Sequence, residues 1–509
     1  MFKSIQLSIL TFLFTIICLK GFSQNNYQLT IGDSTEDFRT FGFIDQGNDF
    51  IIYGYRYLFL YSNLSESYVM RLDQQGNIIN QKIFNVNLPD FSITPASIIP
   101  DASDGYIGFA FVSDSIDLGL ICRKLRIMKL NHDFSIQYQK DYKMPYEHNW
   151  FANIFVQYDL DSTIICTMLI MDTSYSLSSH NTLIYRFNQQ GDSLHANRIT
   201  GYQNYPYSLL VNSQKPSKYS LFTWLFNQTI PSWGQIVHLD SMFNVLSVDS
   251  IPNKIYANPT TKWINNSKYI TVGKGHRPNS SPPDKQISAM ILNQKDSLIT
   301  TKHFGKLDTA DYPAWIQSLD FIDNNAIYFG GTTKYCVSCV YSSLPQVNQP
   351  FMLIKTDSLL NTQFEYYYDF NAYLNMWSII ATPDGGCIML GSIYDWINAP
   401  DNNHDIFILK VDANGIFTNT KDAEKGKMSE AVIGPNPGGN IINVYIAQQI
   451  KEQVVFEMFD FTGKRVLQEI IQPTSTATIN TSMLKSGMYF YRIKTSKKEI
   501  GSGKWIKVN

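Results

Sequence analysis

A chain of 509 residues with 44% hydrophobic and 14% aromatic side chains holds enough apolar material for more than one packed core, which excludes disorder as its main state. The formal net charge is −2, and removing the two positive charges of Lys3 and Lys20 takes it to −4, so no global basic field exists to hold nucleic acid.

The first residues read as an address. Lys3 supplies a positive start, Ile5 to Leu19 an apolar run, and Gly21-Phe22-Ser23 a cleavage position. Residues 1–23 are therefore expected to be a signal peptide, with the mature chain beginning at Gln24. The run stops at Lys20, short of the roughly 20 apolar residues of a spanning helix. A lipid anchor on Cys18 is the alternative, although Ile17 stands where a small residue is normally required. No later segment is long and apolar enough to span a bilayer.

A repeat follows. A short apolar strand ends on an Asp or Asn seven times, at Asp73, Asn131, Asn188, Asp240, Asn293, Asp357 and Asp412, with spacings of 58, 57, 52, 53, 64 and 55 residues. Each anchor is preceded by an earlier hairpin, clearest in SIIATPDGGCIMLGS from Ser378, where Asp384-Gly385-Gly386 signals a tight turn. Two hairpins per unit make four antiparallel strands, the content of one β-propeller blade. The fold expected for residues 24–420 is thus all-β, a seven-bladed propeller of four-stranded sheets. A stacked β-solenoid is the rival, with shorter repeats as a rule and two sheet edges left to protect. Residues 26–32 are expected to complete the last blade, whose own fourth strand fades after Ile416.

Short turns within hairpins and long loops between them put the long loops on one face of the ring. Tyr57, Trp233, His276, Arg277, Tyr335 and Trp396 are the candidates there for a contact surface. Trp150, Trp263, Trp315 and Trp377 are read as one repeat position just ahead of the first strand. They serve either as wedges between blades or as indoles near the axis that stack on sugar rings. Of the cysteines, Cys336 and Cys339 have the spacing of a local disulfide, a redox pair or half a metal site, and the first fits an exported protein. Asp401, Asn403 and Asp405 alternate like calcium ligands but lack the Gly and Glu of such a loop. Asp159 with Asp161 reads as turn chemistry. No metal, cofactor or catalytic motif is expected, and a monomer is.

Residues 421–430 are polar and charged, as a linker is. Beyond them come GPNPGGNIINVYI, VVFEMFDFTGKRVLQEI and ATINTSMLKSGMYFYRIKT, strand-sized runs separated by turns, as in a small Ig-like β-sandwich. Pro435, Asn436, Pro437, Asp460, Gly463, Lys464, Leu484, Gly487, Tyr489 and Lys504 occur in the order seen in the type A sorting domain of the type IX secretion system of Bacteroidetes, which residues 431–509 resemble. The resemblance implies passage through the inner membrane by the signal peptide, recognition of this module by the outer-membrane machinery, and then its removal. Residues 430–509 hold ten Lys or Arg against six Asp or Glu, so the module is basic.

The task of the cargo stays open between two classes. One is a non-catalytic secreted or surface propeller that binds glycan or protein through its long-loop face. The other is a hydrolase or lyase acting on polysaccharide or peptide, its site assembled from several blades in the funnel.

Overall fold

A computed structural model describes residues 27–417 and 431–508 apart from short stretches, the longest being 59–64, 85–91, 114–122, 144–153, 171–180, 226–232, 277–284, 337–345 and 398–403 in the first part and 447–451 in the second. The expected signal peptide and the linker at 421–430 lie outside the described residues. The chain divides into two compact units between Asn419 and Thr420. Among the described residues every extended element is a β-strand, and no helix is long and apolar enough to cross a membrane.

In the first unit the strands form successive antiparallel sheets within 36–84, 92–143, 154–199, 204–250, 257–304, 312–368 and 373–411. The second and third strands of each sheet are apolar on both sides: Ile164–Ile170 and Cys387–Tyr394 are buried at every position. The fourth strands, such as Ile136–Lys143 and Val245–Ser250, alternate or face water. A strand buried on both faces needs a neighbour on each side. Apolar clusters supply them, and each cluster spans two sheets. Ile51, Tyr53 and Val69 of the first sheet pack on Ile98, Tyr106 and Leu130 of the second. Phe50, Ile52 and Met70, one residue out of phase, pack instead on Ile388, Leu390 and Ile408 of the last. The period-two alternation of side chains makes this division. The other neighbouring pairs of sheets are joined the same way, so the sheets close on themselves.

Closure uses the start of the chain. Tyr27–Ile31 pairs antiparallel with Asp405–Val411, becoming the outermost strand of the last sheet, in line with the expected completion by residues 26–32. The sheet at 312–368 departs from the others. Its innermost strand is split into Tyr312–Pro313 and Leu319–Asp320, both paired to Ile327–Thr332. Between them the backbone leaves the sheet, and the amides of Ile316 and Gln317 donate to the Trp377 carbonyl of the next sheet at 2.9 and 3.2 Å.

The recurring Asp or Asn has a definite job. At Asp240 the backbone N–H of Phe243 donates to the carbonyl, and that of Asn244 to Oδ1 at 2.9 Å. Equivalent bonds recur at Asp73, Asn188, Asn293, Asp357 and Asp412. The third residue after each anchor takes a positive φ: Gly76, Phe134, Gly191, Phe243, Asp296, Leu360 and Gly415. The turn so formed presents its carbonyls sideways, and the preceding sheet donates into them. Tyr142 reaches Gly191 O, Asn197 reaches Phe243 O and Tyr368 reaches Gly415 O, at 2.5, 3.0 and 2.7 Å. Where the left-handed residue is Phe it covers a buried cation of the previous sheet. The Arg71 guanidinium lies 5.5 Å from the Phe134 ring, and Arg186 lies 5.0 Å from that of Phe243.

The second unit is two sheets around one core. Ala431–Gly434, Ile441–Ile446 and Thr476–Asn480 form one; Arg465–Ile471, Val454–Phe459, Gly487–Lys494 and Glu499–Lys507 form the other. Val444, Phe456, Ile493 and Trp505 are buried between them, as in a sandwich. On the outer side Glu457 is ringed by Arg465, Arg492 and Lys494 at 2.9, 2.7 and 3.1 Å. Burial alone would raise its pKa, but the hydrogen bonds from these cations prevail and hold it down to about 2.

Two outcomes follow from these contacts. Phe134→Gly relieves about 1–2 kcal/mol of left-handed strain but forfeits about 3–5 kcal/mol of buried aromatic packing, so the urea midpoint is expected to fall; a rise would overturn this account of the turn. Glu457 stabilises its sheet fully above pH ~4.5 and loses that effect as pH drops towards 2. Hydrogen exchange over residues 454–494 is expected to show acid-induced opening across that window in the wild type. In Glu457→Gln the same segment should be weaker at pH 7 and nearly flat between pH ~4.5 and 2.

Candidate functional site

The innermost strands of the first six sheets enclose a cavity of about 350 Å³ on the axis of the first unit, lined among others by Phe43, Ile98, Phe155, Tyr207, Thr261 and Gln317. Three of these strands, and the innermost strand of the last sheet, carry a bulge three to six residues before their hairpin turn, with register shifts at Thr40/Gly42, Pro95/Ser97, Pro206/Ser208 and Met376/Ser378. A bulge leaves one residue unpaired and bends the strand. The unpaired residues are Phe41, Ala96, Tyr207 and Trp377, so Trp377 and the cavity residue Tyr207 hold equivalent places.

The lining mixes apolar walls with hydrogen-bonding groups. Ser97, Gln157, Ser208, Thr260 and Gln317 all contribute, and the buried Oγ of Ser208 has no hydrogen-bond partner. Thr260 Oγ1 accepts from the amide of Ser318 at 3.1 Å, and Gln317 Nε2 donates to Ile379 O at 3.1 Å. Lys262 and Asp320 are the lining residues with charge. Lys262 Nζ lies 2.6 Å from Asp320 Oδ1 and 2.8 Å from Phe321 O, while Asp320 Oδ2 accepts the amide of Ala381 at 3.0 Å. Burial raises the Tyr207 hydroxyl well above the ordinary phenol range, so it stays protonated and able to donate.

The four tryptophans read as one repeat position do not share it. Trp263 lies inside Ala257–Asn265 and Trp377 inside Tyr373–Ala381, whereas Trp315 sits where the sixth sheet's inner strand leaves its partner; Trp150 is outside the described residues. Spacing from the hairpin turn, rather than from the strand start, is what defines equivalence here, and the bulges shift it. Trp263 donates from Nε1 to Val211 O of the preceding sheet at 3.0 Å, and Trp315 to Asn375 Oδ1 of the following one at 3.0 Å. Trp377 stays within its sheet, donating to Ser392 Oγ at 2.9 Å. Trp315 and Trp377 are half-buried, with ring centroids 6.2 Å apart. Trp315 also neighbours Tyr312, at 5.0 Å, and Lys274 Nζ stands 4.8 Å above the Tyr312 ring.

The loop-face candidates fare unevenly. Tyr57 and His276 belong to the strands Asp49–Leu58 and Lys268–His276, and Trp233 opens Trp233–Leu239, so strand pairing carries further than the loop reading placed it. Tyr335 is buried against Tyr312, with centroids 4.6 Å apart, which corrects its reading as an exposed contact residue. Trp396 is half-buried, and its buried Nε1 has no hydrogen-bond partner. Arg277 and Cys339 lie outside the described residues. Cys336 is disulfide-bonded, while Cys166 and Cys387 are buried free thiols. Asp401 and Asn403 also lie outside, and Asp405 begins a strand. Asp161 binds the Thr163 amide as a turn residue does. Asp159 does more than that, accepting from the Tyr219 hydroxyl at 2.5 Å and pairing with Lys218 at 3.0 Å.

Gln157, Tyr207, Lys262 and Asp320 escaped the sequence reading. They lie two to five residues before their hairpin turns, a position the repeat defines once its turns are aligned. Among the described residues no three His, Cys, Asp or Glu side chains gather as metal ligands. Asp320 is the one carboxylate among the lining residues, whereas the usual glycosidase arrangement needs two flanking the bond.

In the second unit Asp460 repeats the turn of the first. Gly463 N donates to its carbonyl and Lys464 N to its Oδ1, at 3.0 and 3.1 Å, with Gly463 at φ 82°. Leu484 packs at the edge of the core, Gly487 opens the strand to Lys494, and buried Tyr489 donates to Lys485 O at 2.7 Å. Lys504 lies in the last strand; Pro435, Asn436 and Pro437 are outside the described residues.

No curated protein matches the chain in sequence. Among solved structures, a protein of unknown function from Bacteroides caccae is similar at 10% identity and TM-score 0.35, over 65% of this chain and 94% of its own. A puromycin hydrolase is similar at 8% identity and TM-score 0.47, over 80% and 58%. An α-L-arabinofuranosidase of Fusarium graminearum is similar at 11% and 0.38, over 64% and 94%. Likenesses this slight assign no activity to the chain. Residues 432–508, by contrast, match the family of secretion system C-terminal sorting domains, so the second unit is a type IX sorting domain and the chain is cargo of that system, bound for the cell surface or the extracellular space.

Proposed function

We propose that residues 24–420 form a seven-bladed propeller that binds glycan without cleaving it, delivered by the signal peptide at 1–23 and by residues 431–509, which the outer-membrane machinery recognises. The observation that carries this reading is the half-buried pair Trp315 and Trp377, whose backbone meets the lining residues Ile316 and Gln317 of a cavity of mixed apolar and hydrogen-bonding walls. Indole faces stack on the C–H face of a sugar ring while hydroxyls and amides bind its edge. The hydrolase reading is less favoured, because the cavity lining offers one carboxylate, already paired with Lys262.

The mature chain is expected to bind on an array of extracellular polysaccharides and to leave the bound polymer at its original length. Trp377→Ala is expected to weaken that binding about tenfold, with Trp377→Phe intermediate and thermal unfolding of both near wild type. Shortened polymer would establish the hydrolase instead, and unchanged binding in both Trp377 variants and in Trp315→Ala would remove the aromatic pair from the site.

A further inference from the structure

We infer that the axial cavity selects an uncharged sugar and rejects the matching acidic one. This rests on the glycan-binding reading and adds the class of ligand to it. The two charged residues in the lining cancel within the wall: Lys262 is held by Asp320 and by the Phe321 carbonyl, and Asp320 is held in turn by Lys262 and the Ala381 amide. The Asp320 side chain is only 15% exposed. A hexuronate that drew Lys262 away would leave this carboxylate with the Ala381 amide alone in a poorly solvated place, which is unfavourable. A carboxylate bound elsewhere in the cavity would find no unpaired cation among the lining residues to offset its desolvation.

A neutral sugar meets no such conflict. Gln157, Thr261 and Gln317 present amides and a hydroxyl, groups that donate and accept as sugar hydroxyls do. Tyr207 adds a phenol kept protonated by its burial. Phe155 and Ile98 give apolar surface for ring C–H groups. The volume of about 350 Å³ lies at the small end of ligand cavities, which suits a chain end or a short oligosaccharide.

The test is calorimetric titration of the full mature chain with methyl glucoside, galactoside and mannoside, and with methyl glucuronide and galacturonide, at about 50 and about 500 mM NaCl. At least one neutral glycoside is expected to bind about tenfold or more tightly than its uronide, with little change between the two salts. Gln157→Ala, which removes no ion pair, is expected to weaken that neutral ligand about tenfold at unchanged melting temperature. Asp320→Asn, which frees Lys262, is expected to raise uronide affinity, a gain that simple loss of structure does not produce. If Asp320→Asn fails to fold, the salt series and Gln157→Ala decide. Uronides bound as tightly as or more tightly than the neutral glycosides, or neutral binding indifferent to Gln157→Ala, would sink this inference and leave glycan binding standing. Binding of no sugar by the chain, on the polysaccharide array as well as in the titrations, would sink both.

Discussion

A strand buried on both faces cannot be left to water, and every sheet of the first unit has such strands at its middle. Phe50 and Ile51 are adjacent in sequence yet belong to different cores, one shared with the last sheet and one with the second. Every interior strand therefore depends on two neighbours, and the arrangement is satisfied only when the row of sheets meets its own beginning. Five fully buried side chains at about 1.5–3 kcal/mol each match the ~5–15 kcal/mol by which a whole domain is usually stable. The interface between the last sheet and the first buries more than that number, from Phe38 and Phe43 to Ile406 and Ile408. An open row is thus not a slightly weaker version of the ring.

Apolar contact alone is slippery, and polar contacts set how neighbouring sheets align. The anchor turn is the device. Its side-chain oxygen takes the amide of the residue after the left-handed one, and the turn's carbonyls face outwards to be met by Tyr142, Asn197 or Tyr368 from the sheet before. Two residues ahead of the anchor the third strand often carries a buried cation: Arg71 donates to His132 O, Lys355 to Ala413 O, and Lys410 pairs with Asp384. A buried polar group left unmatched costs more than the bond it makes contributes. A slipped interface would strand several at once.

These features explain what could be read from the sequence. The anchors were legible because Asp and Asn cap this turn from the side chain better than other residues, so chemistry repeats where packing residues drift. The hairpins were legible through their strand-sized apolar runs and through turns such as Asp384-Gly385-Gly386. The site was not. Its residues sit on the innermost strands, where a one-residue bulge displaces the register, and tryptophans matched by their distance to the strand start fell at different heights. Tyr207 and Trp377 are equivalent by structure and share no local motif. Lys262 and Asp320 come from different sheets, 58 residues apart, and each alone looks like a surface charge. The second unit was legible in the opposite way, through the ordered run Asp460, Gly463, Lys464, Leu484, Gly487 and Tyr489 rather than through any one contact.

The strand Tyr27–Ile31 ends up beside Asp405–Val411, nearly the whole unit away along the chain. The part of the ring that leaves the ribosome first is therefore waiting on the part that leaves it last, and no N-terminal fragment that stops short of Val411 can be a finished object. Until its final sheet has arrived, such a cargo has an open seam, with the apolar face of its first sheet still waiting for its partner.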